Sequence, residues 1–110
     1  MAYDEDLADR IRELLSGEKG LEEKRMFGGL AFLINGNMAV AASGQGGLLV
    51  RMAPDDTDKL LDGKHVSPMV MAGREARGWL LVTIDGVKTK RQLRTWVSRG
   101  AGYARTLKPK

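Results

Sequence analysis

Apolar residues recur at helical spacing near the start of the chain and predict a first helix over Asp4–Leu15. Its apolar face consists of Leu7, Ile11, Leu14 and Leu15. Ser16–Gly17 follows and predicts the end of this helix, because glycine adopts the left-handed cap conformation at little cost. The polar stretch Glu18–Lys24 is then expected to form a loop or a short helical turn.

Three short apolar runs follow and predict an antiparallel meander. These runs are Leu30–Ile34, Met38–Ala42 and Leu48–Met52. Asn35–Gly36 joins the first two, and Asn-Gly in this position favours a type I′ hairpin turn, which needs positive φ at both central residues. The glycine-rich stretch Ser43–Gly47 joins the second and third. We interpret it as a plain hairpin loop, because it lacks the lysine and hydroxyl pair of a P-loop and a strand follows it.

The second half of the chain begins with a proline and a group of aspartates, which predict a short helix ending near Asp62–Gly63. The stretch Lys64–Arg77 has no clear pattern, and Gly73 and Gly78 are expected to bracket a turn or loop. Trp79–Ile84 is a predicted fourth strand, because it is rich in bulky and β-branched residues.

Thr89 and Gln92 have capping-box spacing and predict the start of a last helix. Its apolar stripe consists of Leu93, Trp96, Val97, Gly100, Ala101 and Ala104. Gly100 and Gly102 should each weaken the helix by about 1 kcal/mol relative to alanine. We expect close approach of the backbone to the sheet to be the reason for both glycines, and Trp96 to lie in the core.

These elements predict one α+β domain over residues 1–110, with an antiparallel sheet of about four strands, helices packed on it, and the order α-β-β-β-α-β-α. The absence of cysteine excludes disulfides, thiolate catalysis and thiolate metal ligation. No apolar run approaches the roughly 20 residues that span a bilayer. The acidic N-terminus also lacks the core of a signal peptide. We therefore expect a cytoplasmic protein that does not contact membranes.

Candidate catalytic and metal-binding groups are few. His65 is the only histidine, and none of the serines lies in a Gly-x-Ser-x-Gly elbow. A metal site would depend on aspartates whose spacing differs from that of a calcium loop. These aspartates are Asp55, Asp56, Asp58 and Asp62. We therefore predict no enzyme activity, no metal and no cofactor, and only His65, Arg51 and Asp85 merit testing as reactive groups.

The net charge of +4 is concentrated near the C-terminus. Residues 86–110 hold eight basic residues and no acidic one, whereas the preceding residues hold ten basic and fourteen acidic residues. On an ideal helix the three arginines of this segment that oppose the apolar stripe lie within roughly 60° of one another. With two neighbouring lysines they form a basic ridge, whose members are Lys88, Lys90, Arg91, Arg94 and Arg105. The ridge is the predicted contact for nucleic acid or another polyanion, and a solvated face is the alternative.

Methionine is frequent, and most of the six methionines fall in apolar segments where core filling is the expected role. Met69–Val70–Met71 could instead line an adaptable surface for a protein partner. A protein-interaction or homodimer role without nucleic acid is therefore a second hypothesis.

The run Arg25–Met26–Phe27–Gly28–Gly29, followed by Phe32 and Asn35–Gly36–Asn37–Met38, resembles the N-terminal domain of the TfoX/Sxy family. Later features match in the same order, namely Leu48–Leu49–Val50–Arg51, Gly73–Arg74 before Gly78–Trp79, and Leu93 with Trp96 in the last helix. The resemblance covers nearly the whole chain. The run itself predicts a bulge or tight bend at Gly28–Gly29, with Phe27 in the core and Arg25 at the surface.

The resemblance implies an α+β fold with an antiparallel sheet and no established catalytic residues. The family's namesakes are bacterial positive regulators of competence-gene transcription that act with a cyclic-AMP receptor protein. They carry a second, C-terminal domain, for which this chain of 110 residues has no room. We therefore expect a stand-alone regulatory or interaction module, linked to transcription or competence through its basic helix.

Overall fold

The computed structural model describes residues 3–26, 28–44, 46–60, 65–71 and 73–109. The strands in these ranges are β1 Leu21–Met26, β2 Gly29–Ile34, β3 Asn37–Ala42, β4 Leu48–Arg51, β5 Val66–Met71 and β6 Arg74–Val82. The helices are α1 Glu5–Leu14, α2 Pro54–Leu60 and α3 Lys90–Thr106, with a 3-10 turn at Ile84–Val87. The strands form one sheet in the order β1-β2-β3-β4-β6-β5, with antiparallel neighbours throughout.

The α+β class and the antiparallel pairing are confirmed, but the prediction of about four strands in the order α-β-β-β-α-β-α was wrong. The two strands it missed lie at the edges of the sheet. β1 occupies the stretch assigned to a loop or helical turn, and it exposes four consecutive charged residues, Glu22–Arg25. β5 lies in the unassigned stretch and contains Pro68. Charges and proline at sheet edges hinder pairing with another chain, and they also hide the alternating pattern of a strand.

β6 is also longer than predicted, because it begins at Arg74 rather than at Trp79. Gly78 therefore lies inside the strand, with φ of 88°. Its carbonyl accepts a hydrogen bond of 2.7 Å from the backbone N–H of Met52. Gly73 lies in the connection between β5 and β6, with φ of 79°, so only this glycine is in the predicted turn.

The sheet has an apolar cluster on each face. On one face, α1 and α3 pack over Phe32, Val40 and Val50 through residues such as Leu7 and Leu93. On the other face, a smaller cluster is bordered by partly buried Met26, Met69 and Trp79. Its buried members are Ala31, Leu33, Met38, Ala41 and Leu49. Because α1 and α3 share one face, their ends lie side by side there.

Two tight turns connect the first three strands. Asn35 and Gly36 have φ of 54° and 84°, which confirms the predicted turn with two positive φ values. Met26 pairs with Gly29, so β1 and β2 are closely connected, and Gly28 in this connection has φ of 74°. A Cβ on Gly29 would lie 2.1 Å from the Ala42 carbonyl oxygen, so only glycine fits there. The tight bend at Gly28–Gly29 is thus confirmed and Arg25 is exposed, while Phe27 lies outside the described residues.

The start of α3 follows the predicted capping box. The Thr89 hydroxyl accepts a 3.1 Å hydrogen bond from the Gln92 N–H, and Gln92 Oε1 accepts one of 3.0 Å from the Thr89 N–H. Gly100 lies against β3, since a Cβ there would be 2.4 Å from the Ala39 carbonyl oxygen. Close approach is therefore confirmed for Gly100, but it was wrong for Gly102, which has open space around it.

Candidate functional site

All five residues of the basic ridge lie in the part of the chain that the structure describes, and four of them have exposed, unpaired side chains. Lys88, Lys90, Arg91 and Arg94 are exposed, and their side chains make no hydrogen bond or ion pair to the residues that the structure describes. Arg10 of α1 binds the backbone at the start of the ridge. Its guanidinium donates to the carbonyls of Val87 and Lys88, each at 3.1 Å. The ridge therefore begins on an anchored backbone with its charges turned to solvent.

Arg105, the fifth member, differs because it has an acidic partner. Its guanidinium donates to both carboxylate oxygens of Glu18, and the Nε–Oε2 distance is 3.2 Å. The Glu18 side chain is only 17% exposed. The hydrogen bonds from Arg105 hold the pKa of Glu18 below its ordinary value, and those to Glu18 raise the pKa of Arg105. Both groups are therefore charged at neutral pH, and the charge of Arg105 is largely balanced.

A groove of about 410 Å³ lies between the end of α1 and α3, and we call it the α1–α3 groove. Arg94 and Arg105 line it from α3, with Ser98 between them, and Ser16 and Glu18 line the opposite wall. The two arginines are eleven residues apart, which is about 16 Å along a helix. The groove thus brings two of the predicted residues to one surface.

A second space, of about 350 Å³, lies beside the first turns of α3, and we call it the α3–β5 hollow. It is lined by His65, Val66, Val82, Gly86, Arg91, Gln92, Thr95 and Trp96. Arg91 therefore borders a different space from Arg94 and Arg105. Arg91 and Arg94 are neighbours on the surface of α3, but they border different spaces, which a helical projection alone does not show.

The three residues singled out as reactive candidates do not converge. His65 Nδ1 lies 3.1 Å from the Thr83 hydroxyl, at the end of β6. Arg51 lies at the other end of the paired strands β4 and β6, where its guanidinium is 5.2 Å from the centre of the Trp79 ring. Asp85 is exposed in the 3-10 turn. These three residues therefore do not form a common reactive site.

The aspartate group is only partly visible. Asp55 and Asp56 lie in the first turn of α2. Asp62 and the side chain of Asp58 lie outside the described residues. Within the described parts of the chain, no group of three or more histidine, cysteine or acidic residues could hold a metal ion. None of the helices in those parts is long and apolar enough to cross a membrane.

The methionine segment proposed as a partner surface lies in β5. Met69 is partly buried against the smaller apolar cluster, while the side chains of Val70 and Met71 lie outside the described set. Ile84, at 43% exposure, is the exposed large hydrophobic residue found in the described ranges. A protein-interaction or homodimer role stays a prediction, and light scattering at several concentrations tests it, since a strict monomer contradicts a homodimer.

The sequence reasoning missed Glu18 and Asn37 as structural partners of the C-terminal segment. Glu18 is separated from Arg105 by 87 residues. Asn37, which is 2% exposed, donates a 2.8 Å hydrogen bond to the carbonyl of Lys108, just beyond α3. Neither contact has a local signal, because the fold alone brings these residues together.

Comparison with models of protein families shows the family of this chain. The model of the TfoX N-terminal domain matches residues 13–104, which is most of the chain. The chain belongs to the TfoX N-terminal domain family. Comparison with curated proteins and with solved structures found no match.

Most motif residues of this TfoX N-terminal domain have a structural role in the described fold. Met26 and Gly29 close the β1–β2 turn, and Gly73 precedes Arg74 at the start of β6. Trp79 borders the smaller cluster, whereas Trp96 belongs to the larger one. These motif residues therefore contribute to the turns, strands and apolar clusters of the fold.

Proposed function

We propose that this TfoX N-terminal domain is a non-catalytic regulatory or interaction module that contacts the phosphate backbone of nucleic acid through the basic ridge. The ridge begins just before α3 and continues along it, and a role in transcription or competence is the regulatory context that the family suggests. The supporting observation is that Lys88, Lys90, Arg91 and Arg94 are exposed without an acidic partner among the described residues.

The unpaired state of these cations contrasts with two arginines elsewhere in the described chain, Arg12 and Arg105, which are paired with acids. Arg12 donates from Nε and from a terminal nitrogen to Glu23, both at 2.7 Å, and it also contacts Asp9. Arg105 is held by Glu18. An unbalanced set of cations at the start of α3 also opposes the helix dipole, so another use would offset that cost.

The chemistry of the ridge fits contact with phosphates rather than with bases. Arg91 and Arg94 offer guanidinium groups that can each donate two hydrogen bonds to a phosphate. Neutralising phosphates releases condensed counterions, which drives binding without sequence preference. Trp96, the aromatic residue beside these arginines, is buried at 9% exposure and cannot stack on bases. The expected binding is therefore sequence-independent and strongly dependent on salt.

A charge-reversal pair tests the proposal. Arg91→Glu with Arg94→Glu should abolish binding to a labelled DNA duplex in a fluorescence anisotropy titration at about 50 mM salt. The unchanged protein should bind there and lose most of its affinity at about 200 mM salt, because each condensed counterion gains less entropy when it is released into more concentrated salt. Single-stranded DNA of the same length gives a second probe.

Lys19→Glu with Lys24→Glu is the matched control, because both lysines are exposed and the net charge changes by the same amount. This control should keep most of the affinity for DNA. The proposal is contradicted if neither duplex nor single strand binds at low salt, or if the control loses as much affinity as the α3 variant.

A further inference from the structure

The α3–β5 hollow has an apolar base and polar walls. Val66 and Trp96, at 5% and 9% exposure, supply the accessible apolar surface, and Val82, which also borders the hollow, is fully buried. Arg91, Gln92 and Thr95 line the space from α3. None of the described residues that line it is acidic. The hollow thus combines apolar surface with an excess of positive charge.

Trp96 is the first of three residues lining the hollow that carry a hydrogen-bond donor without a partner in the described chain. It is 9% exposed, and its indole N–H donates to none of the residues that the structure describes. No fully buried side-chain nitrogen or oxygen in the described ranges lacks a partner, so this nitrogen keeps contact with solvent. An indole donor on a buried ring usually finds an acceptor, and here a ligand can supply it.

Gln92 and Arg91 provide the other two donors. The Gln92 side chain is fixed by the capping box, because its oxygen accepts from the Thr89 N–H at 3.0 Å. Its NH₂ group donates to no described residue, and the Arg91 guanidinium also lacks a partner in the described chain. Both residues lie in the first turn of a 17-residue helix, where the helix dipole adds positive potential. Free donors in this positive potential suit an acceptor-rich, negatively charged ligand.

We propose that the α3–β5 hollow binds a small organic anion with a flat apolar body, of the aryl carboxylate or aryl phosphate class. The oxygens of the anion accept from Arg91, Gln92 and Trp96, and the ring of the anion lies against Val66 and the accessible edge of Trp96. A volume of about 350 Å³ suits a ligand with one ring. The hollow shares Arg91 with the basic ridge, but a single bound anion needs no phosphate chain along that ridge, so the proposal does not rest on the nucleic-acid contact.

Titration with phenyl phosphate and with benzoate tests the site, with the ¹H–¹⁵N resonance of the Trp96 indole as the readout. The Trp79→Phe variant identifies this resonance, since the chain has two tryptophans. Both probes should shift it downfield in a saturable way, with a dissociation constant of about 1 mM. Arg91→Gln should weaken binding about tenfold, and Arg91→Lys should restore part of the affinity because it keeps the charge.

Arg94→Gln is the matched control, since Arg94 lines the α1–α3 groove instead, and it should leave the affinity unchanged. The proposal is overturned if the indole resonance does not move at about 20 mM of either probe. It is also overturned if benzyl alcohol binds as tightly as the anions, if inorganic phosphate binds as tightly as phenyl phosphate, or if Arg94→Gln weakens binding as much as Arg91→Gln. An unchanged thermal midpoint of the Arg91 variants shows that they remain folded.

Discussion

The two halves of α3 carry the same kind of charge and use it differently. In the first half, Lys90, Arg91 and Arg94 are exposed and have no partner in the described chain. In the second half, Arg105 is bonded to Glu18, and the backbone just beyond the helix is held by Asn37. A count of basic residues does not distinguish the two halves. Only the folded structure shows which of these cations are paired with an acid and which are free to bind an anion.

The boundary between the halves lies near Gly100, where the backbone of α3 comes close to the sheet. Gly100 lies against the backbone of Ala39, and Tyr103 follows with its ring 5.9 Å from the Arg51 guanidinium. The second half is therefore docked by packing as well as by charge. Substitutions that disturb this docking should affect stability, and those of the exposed cations in the first half should affect binding.

The largest expected effect comes from Gly100→Ala. The new Cβ would lie 2.4 Å from the Ala39 carbonyl oxygen and 2.8 Å from Val40 Cγ1, so the helix or the strand must move. Overpacking of this kind should lower the free energy of unfolding by about 2 kcal/mol, measured by urea denaturation.

Gly102→Ala is the matched control, because no atom lies within 4 Å of its added Cβ. It should raise the free energy of unfolding by about 0.5–1 kcal/mol, since alanine favours the helix more than glycine does. If both substitutions change stability in the same direction, close approach to β3 is not what requires Gly100.

The next effect concerns Arg51, which connects the end of β4 to the second half of α3. Its guanidinium lies 5.2 Å from the centre of the Trp79 ring and 5.9 Å from that of Tyr103. Arg51→Met keeps an unbranched apolar stem and removes both cation–π contacts, so the free energy of unfolding should fall by about 1 kcal/mol. Arg25→Met, at an exposed position in β1, should change it by less than about 0.5 kcal/mol in the same urea experiment. Equal losses in the two variants would contradict a role for the ring contacts.

The sequence predicted well those features that near neighbours determine. The Thr89–Gln92 capping box, the Asn35–Gly36 turn and the apolar stripe of α3 all depend on residues a few positions apart. It missed β1 because Glu22–Arg25 show no alternation, and such a strand is recognisable only through its pairing with β2.

The candidate site was predictable in composition but not in arrangement. The eight basic residues after residue 85 are evident in the sequence, yet nothing local indicates that Glu18 neutralises Arg105 across 87 positions. The α3–β5 hollow also escapes sequence reasoning, because its walls come from β5, β6, the 3-10 turn and α3. A helical projection gives the angle of a side chain and does not show what lies beside it.

The smallest expected effect is the contribution of Glu18 to stability. Arg105 is 53% exposed, so solvent screening limits the ion pair to about 0.5 kcal/mol. Glu18→Gln should lower the free energy of unfolding by that amount near neutral pH. Glu22→Gln is the matched control, because Glu22 is an exposed acid without an ion pair among the described residues, and it should cause no measurable loss.

The pH dependence separates this ion pair from a packing effect. Hydrogen bonds from Arg105 hold the folded-state pKa of Glu18 below its ordinary value of 4.5. The carboxylate therefore stabilises the fold fully above pH 4.5, and this stabilisation disappears as the pH falls through the lower folded-state pKa. The difference between Glu18→Gln and the unchanged protein should accordingly vanish in acid. If it persists there, the second half of α3 is held at Glu18 by packing rather than by charge. Glu18→Gln also releases Arg105, so tighter DNA binding by this variant would show that both halves of α3 can serve one surface.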